Sequence, residues 1–293
     1  AADAAGGGAM TGRPEGTVLD PRANPDLIGH DAAARTLEEA ARSGRLHHAW
    51  LFCGPPGIGK ATLAWRFTRW LLAGLPDSTP PLFVDPATPV FRRVAADTHA
   101  DCFTLEPNTG DKGIKRILRV DDAKEAVRFL TQTAAEGGWR VVVLDEAERA
   151  DRPDVQNTLL KTLEEPPPRT VLLLVCSAPQ KLLPTIRSRC QQLRFPAPAR
   201  EEGRAWLEIQ LGTDAAEAEL LLRLAEGAPL QALALGQRGT LKERHGWLDQ
   251  LIALRKGQQD PVRVAAEWAE DAELRPLFWF GSFLADLVRL HQG

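Results

Sequence analysis

The chain is poor in the residues that would place it in several common classes. It has only 4 cysteines, Cys53, Cys102, Cys176 and Cys190, far apart and never in C-x-x-C spacing. That excludes a typical structural zinc module by sequence and fits reduced thiols in a cytosolic protein. There is no basic excess: the formal charge is −3, whereas a free-standing nucleic-acid binder would carry a positive footprint. No apolar run approaches the ~18 residues of a membrane span. Residues 1–8 are small and lack the charged-then-apolar order of a secretory signal, so the start reads as a disordered tail. Tyrosine is missing altogether beside 8 tryptophans, and no interleaving of aromatic and basic residues marks a single-strand groove. Trp247, Trp268 and Trp279 fall at apolar helical positions, where packing is the first role and an interface the second.

What is present suits a chain of two or three domains, with 44% hydrophobic residues over 293 positions. Residues 1–24 read as unstructured. A helix is expected from Asp31 to Ala41, followed by the apolar run Trp50-Leu51-Phe52-Cys53. The segment 74–91 holds Pro76, Pro80, Pro81, Pro86 and Pro89 and reads as a surface loop. Phe103-Thr104-Leu105, Arg140 to Leu144 and Val171 to Val175 read as strands, and Val120 to Ala134 as a helix. Continuous apolar runs separated by helices predict an α/β domain with a parallel sheet buried on both faces, over 25–196. Beyond Pro198 the strand signals stop. Helices with breaks near Gly212, Gly227, Gly236 and Gly257 predict a small helical domain at 197–240 and a second helical region at 241–293.

The candidate site starts at Gly54-Pro55-Pro56-Gly57-Ile58-Gly59-Lys60, between the run ending at Cys53 and a helix-like stretch from Thr62. Strand, loop and helix in that order form the context of a P-loop. Glycines let backbone N–H groups turn toward phosphates, a helix N-terminus favours anions, and Lys60 supplies a point charge. The pattern then asks for a Ser or Thr hydroxyl to bind Mg²⁺, and this chain has Ala61. Thr62 is no substitute, since one step along a helix turns a side chain by about 100°. Asp145-Glu146, closing an apolar strand, is the expected acidic partner: the aspartate for the metal, the glutamate for the attacking water. Arg189, in Ser188-Arg189-Cys190, would on chemistry alone be a solvated surface residue. His47 and His48 have no acidic or cysteine partner nearby and read as packing or surface residues.

Together, Gly54 to Lys60, Asp145-Glu146, the run from Gln156 to Pro167 (N-x-L-L-K-x-L-E-E-P-P at its centre) and Ser188-Arg189-Cys190 resemble bacterial clamp-loader subunits. These are AAA+ proteins of the DNA polymerase III holoenzyme. The resemblance runs from about Asp26 to Ala234 and implies a P-loop α/β domain, a helical lid and a helical collar. Three departures point to its delta-prime branch rather than the gamma/tau motors: Ala61, Leu230 where motors carry a phosphate-sensing arginine, and the proline-rich loop in place of zinc-binding cysteines. Compared with the resemblance, the collar region at 241–293 reads as incomplete.

The delta-prime resemblance implies a stationary subunit that helps load the sliding clamp on primed DNA, with gamma/tau and delta subunits as partners and no membrane. It implies that Arg189 reaches a neighbour's ATP in trans, and that polymerase chemistry belongs to the holoenzyme, since no paired-carboxylate polymerase site is evident here. Phosphate contacts, if made, fall to Gly54, Pro55, Pro56, Gly57, Ile58, Gly59, Lys60, Ala61, Thr62, Asp145 and Glu146. The loop leaves three readings open: weak or non-hydrolysed ATP binding, an active AAA+ motor, and a structural scaffold with an empty P-loop. No zinc or other metal site is expected.

Overall fold

A computed structural model describes residues 20–107, 118–150 and 153–269, with positions 279–281, 283–284, 287–288 and 291 beyond them. Its compact parts are two: one over 18–203 with 227–231, the other over 204–226 and from 232 onward. The predicted tail over 1–19 lies outside the described residues.

The first unit is built on five strands: β1 (Ala49–Cys53), β2 (Cys102–Leu105), β3 (Arg140–Leu144), β4 (Thr170–Cys176) and β5 (Gln191–Arg194). They run in the order β2-β3-β4-β1-β5, and every pairing is parallel. β1, β3 and β4 are buried along their whole length, which is why they read as unbroken apolar runs. Their side chains nevertheless alternate between two cores. Trp50, Phe52, Val141, Val143, Val171 and Leu173 face the layer holding α1 (Asp31–Arg42), α2 (Lys60–Leu72) and α3 (Pro89–Ala95). Leu51, Val142, Leu144, Leu172 and Leu174 face α4 (Val120–Thr131) and α5 (Pro153–Glu164). A short α6 (Pro184–Arg187) leads into β5.

β5 was not legible as a strand. Gln191-Gln192-Leu193-Arg194 is the exposed sheet edge, where polar residues are tolerated and protect the edge from pairing. The proline-rich stretch differs from a loose surface loop. Leu82 is fully buried, and α2 anchors the stretch: Arg66 Nε donates to Pro81 O (3.0 Å) and Trp70 Nε1 to Pro76 O (2.8 Å). Residues 20–24, expected to be unstructured, are held on the same helix. Arg69 donates to Arg22 O and Asn24 O (2.5 and 2.8 Å), and its guanidinium lies 4.4 Å from the Phe91 ring centre. Carbonyls exposed by an irregular chain thus satisfy buried guanidinium donors, which neither partner's sequence announces.

The second unit is helical: the later part of α7 (Arg200–Leu211), α8 (Ala215–Leu224), α9 (Pro229–Gln237) from Ala232 on, α10 (Thr240–Arg255) and α11 (Pro261–Ala269). Gly236, predicted as a break, lies inside α9. A Cβ there would meet Leu211 Cδ1 at 2.6 Å, so the glycine serves close helix packing, and the chain turns at Gly239 (φ +68°) instead. Trp247 and Trp268 meet edge-on with ring centres 5.2 Å apart, and Trp279 is buried, as the packing role expects. Among the described residues no helix is long and apolar enough to cross a membrane.

Candidate functional site

Parallel strands bring their C-terminal ends to one side of the sheet, where crevices for ligands form. Here β1 delivers the loop 54–59, β3 delivers Asp145-Glu146, and β4, between them in the sheet, delivers Ser177. The predicted P-loop residues and acidic pair therefore do converge.

The loop is shaped by two glycines in the left-handed region. Gly57 (φ +73°) and Gly59 (φ +104°) precede α2, whose first residue is Lys60. Gly57 also admits a second chain segment: a Cβ on it would meet Gln231 Cβ at 2.7 Å and Gln231 N at 2.9 Å. Leu230 donates its backbone N–H to Gly57 O at 3.0 Å. The segment 227–231 thus lies on the P-loop, held there through the backbone of Leu230 and the close approach of Gln231.

Lys60 is buried, 5% exposed, and burial pushes its pKa down while Glu148 and then Asp145 act to keep it charged. Its ammonium donates to Gly54 O (2.7 Å), Pro55 O (2.6 Å) and Ser177 Oγ (3.0 Å). Those are all three donors of the group. A phosphate would enter most readily by replacing Ser177, whose hydroxyl can rotate. Ala61 packs its methyl group against the α2-side core, and Thr62 is buried. The arrangement can therefore offer a phosphate the backbone of 57–60 and one ammonium; at position 61 it lacks a hydroxyl for a metal.

Of the acidic pair, Asp145 lies within electrostatic reach of Lys60. Glu146, at φ +47°, pairs with Arg149 (Nε to Oε2, 2.8 Å). Glu148, overlooked in the sequence, accepts the Ser177 N–H at 3.1 Å. His30 is also part of the site. Its Nε2 lies 2.5 Å from Ile58 O, so that nitrogen carries the proton, because a carbonyl only accepts. Burial lowers the His30 pKa, favouring this neutral form. A polar residue directly after a seven-residue buried strand was the available signal for Ser177. Nothing local marked His30 or Glu148.

Arg189 is placed elsewhere. Gln191 pairs with Trp50 and Arg194 with Cys53, so Arg189 lies beyond the N-terminal end of β5 while the P-loop follows the C-terminal end of β1. Three strand steps alone separate those levels by ~10 Å. Arg189 Nη2 donates to Glu164 Oε1 (2.6 Å) and Nη1 to Thr185 O (3.0 Å), and the side chain is 35% exposed. His47 and His48 stack with ring centres 4.3 Å apart, and His48 Nε2 bonds Leu163 O (2.9 Å), a packing role as expected.

Comparison with known proteins decides the family. Residues 29–199 match the family described as DNA polymerase III, delta subunit, and residues 238–293 match its C-terminal counterpart. The chain is 39% identical to the DNA polymerase III subunit delta' of Pseudomonas aeruginosa over 244 residues, 83% of this chain and 72% of that protein. This chain belongs to the DNA polymerase III delta' family. The Escherichia coli subunit delta' is 34% identical, covering 88% of this chain and 74% of that protein. The tau subunit of the same organism is 31% identical, over 84% of this chain but 36% of tau. Membership makes the chain a component of the clamp loader, in line with the parallel α/β fold around its P-loop.

Proposed function

We propose that this chain is the stationary, non-hydrolysing member of the clamp-loading ring, and that it contributes to ATP hydrolysis by offering Arg189 to a neighbouring motor subunit's nucleotide. The observation that carries this reading is the location of Arg189. It lies at the end of the sheet away from its own P-loop, so it serves no phosphate bound there. A guanidinium is always charged and forks onto two oxygens. Glu164 and Thr185 already hold it in a two-donor posture, with a carboxylate where a phosphate oxygen could take over.

The partners on this reading are gamma/tau and delta subunits, with the sliding clamp and primed DNA reached through the ring, in the cytoplasm. The chain's own loop binds ATP weakly or not at all, and does not hydrolyse it. Support for the motor alternative is the complete glycine loop with Lys60 and Asp145-Glu146; Ala61 and Leu230 weigh against it.

The test is steady-state ATP turnover by the chain alone and by the reconstituted ring with clamp and primed DNA. An arginine supplied in trans accelerates phosphoryl transfer about 10³–10⁵-fold in well-studied cases. Arg189→Ala should therefore sharply lower the turnover at the neighbouring site while the ring still assembles. Unchanged ring turnover sinks the proposal. Turnover by the chain alone, abolished by Lys60→Ala, would make it a motor.

A further inference from the structure

Ser177 makes two bonds in opposite senses at the C-terminal end of the sheet. Its N–H donates to Glu148 Oε2 (3.1 Å), and its Oγ accepts from Lys60 Nζ (3.0 Å). Glu148 is thereby linked to Lys60 through a single residue. It is also the foremost charge favouring the protonated Lys60, ahead of Asp145. The same carboxylate helps push the buried Cys176 thiol up to about 12, after burial itself. Glu148 is thus a resident anion next to the P-loop lysine, on the β4 side.

In a P-loop the backbone cradles the α- and β-phosphates and the lysine reaches toward the β- and γ-phosphates. The two carbonyl bonds of Lys60 belong to the loop itself, so its Ser177 bond faces the place for a further phosphate. A terminal phosphate that displaced Ser177 would come to rest near Glu148. Position 61 gives no metal-holding hydroxyl and position 230 no cation to offset that repulsion.

We propose that Glu148 is a specificity-determining residue that disfavours a nucleoside triphosphate at this loop while leaving the backbone cradle able to take a diphosphate. The proposal rests on reading the loop as non-hydrolysing, and it makes no use of Arg189. Its test is an affinity ratio for the chain alone, so it fails or stands separately from ring turnover.

The probes are ADP and ATP, titrated against the full chain by competition with a fluorescent nucleotide, with and without Mg²⁺. The unaltered chain should bind ADP more tightly than ATP. Glu148→Gln keeps an oxygen for the Ser177 N–H and removes the charge. It should raise ATP affinity about tenfold or more and ADP affinity less, as expected for deleting one like charge at close range under an effective dielectric near 20. Glu148→Asp, which withdraws the charge by one methylene, should give a smaller gain and serves if the glutamine variant folds poorly. Glu165→Gln, an exposed carboxylate after α5, should change neither affinity. A ratio unmoved by Glu148→Gln overturns the proposal, as does absence of detectable binding in both chains, since Glu148 would then not be the obstacle. Preference of the unaltered chain for ATP overturns it as well.

Discussion

Replacing Gly57 by alanine isolates the contact between the P-loop and the segment 227–231. Two costs arise. The residue sits at φ +73°, where an L side chain costs about 1–2 kcal/mol. Its new Cβ would also stand 2.7 Å from Gln231 Cβ, 2.9 Å from Gln231 N and 3.2 Å from Gln231 Cα. Two of those three atoms are backbone and cannot swing aside, so the segment must shift, at about 1–3 kcal/mol for overpacking. Moving it also strains the Leu230 N–H bond to Gly57 O, a bond worth roughly 1 kcal/mol. The conformational and overpacking costs alone sum to a destabilisation of roughly 2–5 kcal/mol.

Gly44 supplies the control. It has nearly the same φ, +68°, with nothing within 4 Å of its virtual Cβ, so Gly44→Ala should cost only the conformational part, about 1–2 kcal/mol. Urea denaturation of both variants by circular dichroism gives the difference, and amide exchange at Leu230 gives the local reading. Faster exchange at Leu230 in Gly57→Ala alone is expected. Equal destabilisation by the two substitutions, with Leu230 equally protected, would refute the docking of 227–231 on the loop.

Two further outcomes follow from buried charge. Stability should fall as pH drops below neutrality, because burial lowers the pKa of His30, His48 and His99 below the ordinary 6.5. The unfolded chain then takes up protons first, so the contribution is complete above about pH 6.5 and is lost as pH falls toward the folded values. Thermal melting between pH 7.5 and 5.5 reads the slope, which His30→Gln should flatten; an unchanged slope removes His30 from the account. Asp101, 1% exposed, accepts the N–H groups of Ala135 (2.7 Å) and Glu136 (2.9 Å) and lies 3.8 Å from Arg140 Nε. Asp101→Ala leaves a buried guanidinium without its carboxylate and should cost about 3–5 kcal/mol. Asp101→Asn, keeping one acceptor, should cost less, and equal melting temperatures for the two would contradict this assignment.

The strands and the P-loop were legible because their signals are local. β1, β3 and β4 are buried on both faces, so each reads as an unbroken apolar run, and the glycine spacing of 54–59 is itself the loop geometry. Helices α1 and α4 announced themselves by periodicity. β5 did not, since an exposed edge needs no apolar pattern, and Gly236 misled because a glycine for close packing looks like a glycine for a turn.

The sequence by itself determined the elements, the phosphate loop, the missing hydroxyl at Ala61 and the family resemblance. All of these reside in consecutive residues, or in motifs whose order along the chain carries their meaning. Only the tertiary structure decided which charges share a site. Glu148, Ser177 and His30 reach the P-loop from distant parts of the chain, whereas Arg189 lies at the other end of the sheet, paired with Glu164. The physical reason is that strand order and direction, not sequence separation, set which strand ends meet. A parallel sheet brings the residues after β1, β3 and β4 together and sends the residues before β5 to the opposite end.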